Sequence, residues 1–108
     1  MNPWETQLRK GVVELAVLAS IARGESYGYQ IVERLRDLEG LALTESTVYP
    51  VLTRLARDGA LAVRLEASPS GPTRRYYRLT DEGQGRLARM ATNWRTVSSS
   101  LTRLLEGA

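Results

Sequence analysis

The stretch Ser46-Thr-Val-Tyr-Pro-Val-Leu-Thr-Arg-Leu-Ala-Arg-Asp-Gly59 decides the fold of this chain. Its apolar residues Val48, Leu52 and Leu55 recur at intervals of four and three, which predicts a helix with one buried face. The opposite side carries polar and basic residues together with one proline: Ser46, Tyr49, Pro50, Thr53, Arg54 and Arg57. Apart from the proline, these side chains can donate hydrogen bonds to phosphate oxygens, and arginine also binds the edge of guanine. A short helix of this kind fits the major groove of a DNA duplex.

The composition excludes several function classes. The chain has 108 residues, enough for one domain with a single core, and it contains no cysteine and no histidine. Disulfides, thiolate nucleophiles, imidazole bases and the usual zinc ligands are therefore absent. The sequence also shows no clustered pair of acidic residues and no glycine-rich phosphate-binding loop, which argues against an enzyme. We expect neither a cofactor nor a metal ion.

The hydropathy pattern gives an expected location. The longest apolar run, residues 11–22, includes Glu14 and Ser20 and is too short and too interrupted to cross a bilayer. The N-terminal residues do not show the basic segment, apolar stretch and cleavage site of a signal peptide. We therefore expect a cytoplasmic protein that associates with the nucleoid where it binds DNA and has no membrane partner.

The positive charge is concentrated in the middle of the chain. The formal net charge is +3, and 14 of the 15 basic residues are arginine. Residues 46–78 alone hold six arginines and two acidic residues, a net charge of +4, whereas residues 1–45 carry a net charge of −2. A polyanion is expected to bind the middle segment.

Apolar spacing predicts three helices before the basic strands. The first spans Trp4–Ala22, the second spans Tyr27–Leu38 with Ser26 as its N-cap, and the third begins after Thr44. Pro50 cannot donate a hydrogen bond to the carbonyl four residues earlier. The third helix is therefore expected either to bend at Pro50 or to begin later.

Two strands and a long helix are predicted to follow. Alternating apolar residues indicate a strand over Ala60–Glu66, and a second strand over Arg74–Leu79 follows a loop. Thr80, with two acidic residues after it, predicts the start of the last helix. The predicted fold class is mainly α (α+β). Residues 1–80 form a winged helix-turn-helix with a two-stranded wing, and residues 81–108 form a long C-terminal dimerisation helix, with a contribution from the first helix.

The last helix carries a continuous apolar seam with alternating spacings of three and four. The seam consists of Leu87, Met90, Trp94, Val97, Leu101 and Leu104. This spacing is typical of two helices packed together, so we predict a two-fold homodimer. The alternative is that the helix folds back on its own domain.

Trp94 lies in the middle of the seam and has two interpretations. It either fills the dimer interface or forms a flat slot with its partner tryptophan. The residues beside it, Ala91 and Ser98, are small and leave room for a planar aromatic effector.

Three ordered motifs in residues 8–105 resemble the PadR family of bacterial transcriptional regulators. They are Ser26-Tyr-Gly-Tyr-Gln-Ile-Val, the stretch 46–59 and Gly71-Pro-Thr-Arg-Arg-Tyr-Tyr-Arg-Leu-Thr-Asp-Glu-Gly83. The resemblance implies a winged-helix homodimer that binds operator DNA, usually as a repressor. The single C-terminal helix is similar to that of the short PadR subfamily. A lactococcal multidrug-binding member of that subfamily has a tryptophan at the place of Trp94, and its pair holds flat drugs.

By position, the resemblance implies a set of DNA-binding residues. The third helix would enter the major groove, Tyr27 would contact a phosphate, and two arginines of the wing would contact the backbone or minor groove. The predicted set is Tyr27, Ser46, Thr47, Tyr49, Thr53, Arg54, Arg57, Arg74 and Arg75.

Some of these residues have structural alternatives. The tyrosines Tyr49, Tyr76 and Tyr77 can simply pack the hairpin onto the helices, which we expect for Tyr77. At least one of Tyr27 and Tyr29 should be core, because they lie two apart on one predicted helix.

A different function class is also open. A winged helix can serve as a protein–protein interaction module that binds no operator. Arginines on both the third helix and the wing favour DNA.

Overall fold

A computed structural model describes residues 3–107 of the chain. Its elements follow the predicted order, with one additional short strand. They are α1 (Pro3–Ala22), β1 (Ser26–Tyr27), α2 (Gly28–Arg36), α3 (Glu45–Arg57), β2 (Leu61–Ser68), β3 (Gly71–Leu79) and α4 (Asp81–Leu105). The fold is mainly α with a β wing, as the sequence predicts.

The core lies between the first three helices and the base of the sheet. The predicted apolar face of α3, formed by Val48, Leu52 and Leu55, is fully buried. It packs with one face of α1 and one of α2, and Tyr77 of β3 closes the cluster from the sheet. Each fully buried aliphatic side chain contributes about 1.5–3 kcal/mol, so this cluster is the main stabilising feature of the domain.

Helix α3 begins at Glu45 and continues through Pro50 to Arg57. The later start that Pro50 suggested is therefore wrong. Thr44 occupies the N-cap position as predicted, but its hydroxyl lies 3.1 Å from the Ser46 hydroxyl and makes no capping hydrogen bond to the helix. Pro50 is exposed, so the carbonyl that it leaves without a helical donor belongs to the outer face of α3.

Helix α3 ends as the Asp58-Gly59 pair predicts. Gly59 has φ of 85°, a left-handed conformation that glycine adopts without strain. The Ala60 N–H then donates to the carbonyl of Leu55 at 2.9 Å, and the Gly59 N–H donates to that of Ala56 at 3.2 Å. These two bonds form a Schellman motif, which turns the chain into β2.

The sheet has three antiparallel strands in the order β1-β3-β2, and the sequence predicted only the last two. Ser26, predicted as a helix cap, instead pairs with Tyr77 across β1 and β3, and Tyr27 becomes the N-cap residue of α2. The Ser26 hydroxyl donates to the Gly24 carbonyl and accepts from Arg34, both at 2.9 Å. These bonds fix the connection between α1 and α2.

The wing is longer than predicted and extends beyond the core. Both strands continue into the predicted loop and leave a turn at Pro69 and Ser70. Leu65 belongs to the apolar alternation of β2, yet it is 63% exposed, and its neighbours in the outer half of both strands are exposed as well.

Helix α4 is anchored at its start and projects at its end. The Thr80 hydroxyl accepts a hydrogen bond from the Gly83 N–H at 3.0 Å, which confirms the predicted cap. Leu87 and Met90 pack against the core of the same chain. The principal extents of 57 × 32 × 20 Å and a radius of gyration of 15.5 Å, against about 13 Å for a compact domain of this length, show that the fold is elongated.

Candidate nucleic-acid interface

An open groove lies between the outer face of α3, the start of α2 and the outer half of β3. Its volume is about 700 Å³. It brings together five of the nine predicted DNA-binding residues, namely Tyr27, Tyr49, Thr53, Arg74 and Arg75. It also includes Tyr29, Pro72 and Thr73, which the sequence did not single out as DNA-binding residues.

Tyr49 both packs the fold and lines the groove. Its ring lies directly against Gly28, where an added Cβ would come within 2.7 Å of the Tyr49 Cε1 atom. Burial of the ring is the main cause that raises the pKa of Tyr49 above its ordinary value. The shift leads away from neutral pH, where a tyrosine hydroxyl is already protonated and can donate a hydrogen bond.

Tyr29 is one of the three groove residues that sequence reasoning missed. It is 48% exposed, and Tyr27 is half-buried, so the expectation that at least one of the two belongs to the core is wrong. The reason is that Tyr27 lies in β1 and only Tyr29 lies within α2, so the two do not share a helix surface. A hydrogen bond to Glu33 is the largest cause that raises the pKa of Tyr29.

Thr53 lies in the groove at the centre of the outer face of α3. Its hydroxyl donates to the carbonyl of Tyr49 at 3.1 Å, which leaves the oxygen lone pairs available as acceptors. Ser46 and Thr47 lie one to two turns earlier and do not line the groove. Ser46 is exposed and Thr47 is half-buried, so only Ser46 presents its whole side chain at the N-terminus of α3.

Arg54 lies apart from the groove. It forms an ion pair with Glu14 of α1 at 3.0 Å. Arg86 of α4 lies 3.7 Å from the same carboxylate and 3.6 Å from Asp58. This cluster joins three helices, so Arg54 has a structural partner, and its contact with DNA stays a prediction. Arg57 is exposed in the last turn of α3, also outside the groove.

The wing presents Arg74 beside the ring of Tyr27. The Arg74 guanidinium carbon lies 4.6 Å from the centroid of that ring, within the range of a cation–π interaction. Arg75 is exposed and lines the same groove. Tyr77, two residues after Arg75, is buried, as the sequence predicted. Arg75 and Tyr77 lie on the same face of β3, and the buried Tyr77 ring closes the inner end of the groove.

The apolar seam of α4 divides into two parts. Leu87 and Met90 contact the core of their own chain, while the other four residues are exposed, from 45% at Trp94 to 71% at Leu104. Ala91 and Ser98 are half-buried beside Trp94. On α1, Trp4 and Leu8 are also exposed. The dimer and ligand roles of these residues stay predictions.

Two kinds of site are not found within residues 3–107. No group of three acidic side chains there is arranged to hold a metal ion. No helix among the described residues combines the length and the apolarity that a bilayer crossing requires.

Residues 17–89 match the transcriptional regulator PadR-like family. The chain belongs to this family. A PadR-like transcriptional regulator from Bacillus cereus is 34% identical, with a TM-score of 0.83, over 94% of this chain and 99% of the other. A PadR family regulator from Eggerthella lenta is also 34% identical, with a TM-score of 0.82, over 95% of this chain and 89% of the other.

One PadR structure contains nucleic acid. Bacillus subtilis PadR, solved in complex with operator DNA, is 27% identical, with a TM-score of 0.68. The match covers 74% of this chain and 46% of that protein, so the chain spans about half of its length. The groove and wing described above therefore belong to the winged-helix DNA-binding fold of a PadR-family transcriptional regulator.

Proposed function

We propose that this PadR-family chain acts as a homodimeric repressor that binds operator DNA. Helix α3 would enter the major groove, and the wing would contact the backbone or the adjacent minor groove. The observation that carries the proposal is the groove, where Thr53 of α3 meets Arg74 and Arg75 of the wing. Phosphate contacts are the most numerous contacts in protein–DNA interfaces, and arginine supplies many of them.

The exposed part of the α4 seam supports the dimer. Trp94, Val97, Leu101 and Leu104 form an apolar row on a helix that projects from the domain. A second copy of the same helix buries such a row in a two-fold arrangement. A two-fold dimer presents two α3 helices, which matches an operator with two half-sites about 34 Å apart or a multiple of that distance.

Gel-shift titration against DNA fragments from upstream of bacterial genes tests the DNA-binding role. We expect one or a few fragments to bind specifically, with an affinity that falls steeply as salt rises. The double variant Arg74→Ala with Arg75→Ala should weaken binding to all sequences alike. The salt slope, which is the steepness with which the logarithm of the binding constant falls as the logarithm of the salt concentration rises, should decrease by about one for each phosphate contact that is lost.

A matched variant removes two positive charges elsewhere. Arg89 and Arg95 lie on α4 and do not line the groove, so changing both to alanine should leave the salt slope at its native value. Equal losses in the two double variants would refute the assignment of the wing. A native protein without sequence preference at moderate salt would instead indicate a protein–protein interaction module.

Trp94 supports a further part of the proposal, release of the repressor by a planar aromatic effector. The exposed indole has Ala91 and Ser98 beside it, so two copies that cross loosely would leave a flat slot. Planar aromatics should quench tryptophan fluorescence in the native protein and not in Trp94→Ala, which retains Trp4. Quenching that survives this substitution unchanged would refute the slot.

A further inference from the structure

One face of the sheet carries a row of aromatic and basic side chains that crosses all three strands. Arg64 of β2 pairs with Tyr76 of β3, and Tyr76 pairs with Tyr27 of β1. The Arg64 guanidinium lies 4.6 Å from the centroid of the Tyr76 ring, and the two tyrosine rings lie 5.6 Å apart at 60°. Arg74 lies two residues before Tyr76 on the same strand face and completes the row against Tyr27.

The end of the row on β2, at Arg64, is held by ion pairs. Arg64 binds Glu25 at 2.7 Å and Glu66 at 3.1 Å, and these hydrogen bonds raise the pKa of its guanidinium. Glu25 precedes β1, so the pair ties the wing to the connection between α1 and α2. The row is therefore fixed at Arg64, although the outer wing has no core beneath it.

The other end of the row, where Arg74 lies against Tyr27, is not held by an ion pair among the described residues. Within residues 3–107, no ion pair involves Arg74, and its guanidinium lies over the face of Tyr27. An arginine that is held by an ion pair uses its N–H donors on the carboxylate, whereas an arginine over a ring keeps them for phosphate or base edges. Arg74 is thus ordered at the edge of the groove with its donors available.

We propose that Tyr27 is a positioning residue for DNA binding, whose ring holds the Arg74 guanidinium at the groove. This inference rests on the proposed DNA-binding function and gives Tyr27 a role other than a direct phosphate contact. The ring, and not the hydroxyl, is the part of Tyr27 that acts. Its effect on affinity passes through Arg74.

The inference is tested by exchanging the ring and the hydroxyl separately. Tyr27→Phe keeps the ring, so we expect operator affinity within about two-fold of native. Tyr27→Leu removes the ring, and we expect a loss of about two- to five-fold, the range of an exposed cation–π interaction. In an Arg74→Ala background, Tyr27→Leu should cause no further loss. Tyr29→Leu, at a neighbouring groove residue without this contact, should add its full effect to that of Arg74→Ala.

A second measurement needs no DNA. In the free protein, the ring should shift the NMR signals of the Arg74 Cδ protons upfield. This shift should persist in Tyr27→Phe and disappear in Tyr27→Leu, and thermal unfolding by circular dichroism shows that the variants are folded.

Each outcome decides between the two proposals. An affinity loss in Tyr27→Phe as large as that in Tyr27→Leu, or additive effects of Tyr27→Leu and Arg74→Ala, would overturn the positioning role. Absence of the upfield shift from the native protein would overturn it as well. A native protein that shows the shift but binds no operator fragment would overturn the proposed DNA-binding function, and the role of Tyr27 in it.

Discussion

Replacing Gly83 by alanine tests how α4 is joined to the rest of the domain. Gly83 is buried in the first turn of α4, where an added Cβ would overlap the carbonyl oxygen of Ala60. That carbonyl already accepts hydrogen bonds from the backbone N–H and the hydroxyl of Thr80, both at 3.1 Å. A methyl group therefore has no space unless α4 moves away from the end of α3.

The size of the effect follows from three contributions. Movement of α4 disturbs the Thr80 cap, which is worth about 1 kcal/mol. Overpacking against backbone costs about 1–3 kcal/mol. The higher helix propensity of alanine returns about 0.5–1 kcal/mol. We therefore expect Gly83→Ala to lower the free energy of unfolding by about 1–3 kcal/mol.

Gly85 provides the matched control in the same helix. A Cβ there meets only the Arg89 Nη1 atom at 3.4 Å, an ordinary contact with the end of a flexible side chain. Gly85→Ala should therefore raise stability by about 0.5–1 kcal/mol. Thermal unfolding of all three proteins is compared at one fixed concentration, because the proposed dimer would make the midpoint depend on concentration. A Gly83→Ala midpoint equal to or above that of the native protein would refute the close approach.

Three further predictions concern the seam and two ion pairs. Leu101→Asp places a charge in the exposed seam and should shift the protein from dimer to monomer in sedimentation velocity; an unchanged dimer would exclude this part of the seam from the interface. Glu14→Gln breaks the partly exposed pair with Arg54 and should lower stability in urea by about 1 kcal/mol or less. It should also increase the salt slope of DNA binding by about one if the freed Arg54 contacts phosphate, and an unchanged slope would count against that contact. A hydrogen bond from Arg64 holds the pKa of Glu25 below its ordinary value, so the pair stabilises the fold above that value and is lost as pH falls through the lowered pKa. Urea unfolding of native and Glu25→Gln proteins should differ slightly at neutral pH and converge in acid, and a difference that persists in acid would contradict this assignment.

The helices and the wing could be predicted because their signals are local. The spacing of Val48, Leu52 and Leu55 depends only on helix geometry, and all three are buried. The Thr80 cap and the Gly59 terminus are likewise set by residues within one turn. These features place the exposed side of α3 opposite the core, and the outer residues of the groove follow from it.

The remaining features depend on contacts between distant segments. Strand β1 has two residues, too few for a period, and it forms only because β3 lies beside it. The ion pair between Arg54 and Glu14 joins residues forty positions apart, so the sequence pattern of α3 alone left Arg54 among the DNA-binding candidates. The regular spacing of the seam likewise does not predict that Leu87 and Met90 pack against the core of their own chain, because all six seam residues fit one pattern.

Strand β3 shows why the candidate DNA-binding residues and the core cannot be treated as separate modules. Tyr77 closes the core from one side of the strand, while Tyr76 and Arg74 form the basic aromatic row on the other side. A one-residue shift in the register of β3 would expose the first and bury the other two. The core therefore fixes the register, and the register decides that Arg74 and Tyr76 share the sheet face that carries the row. Substitutions on the outer side of β3 can change the groove while Tyr77 keeps the strand in place.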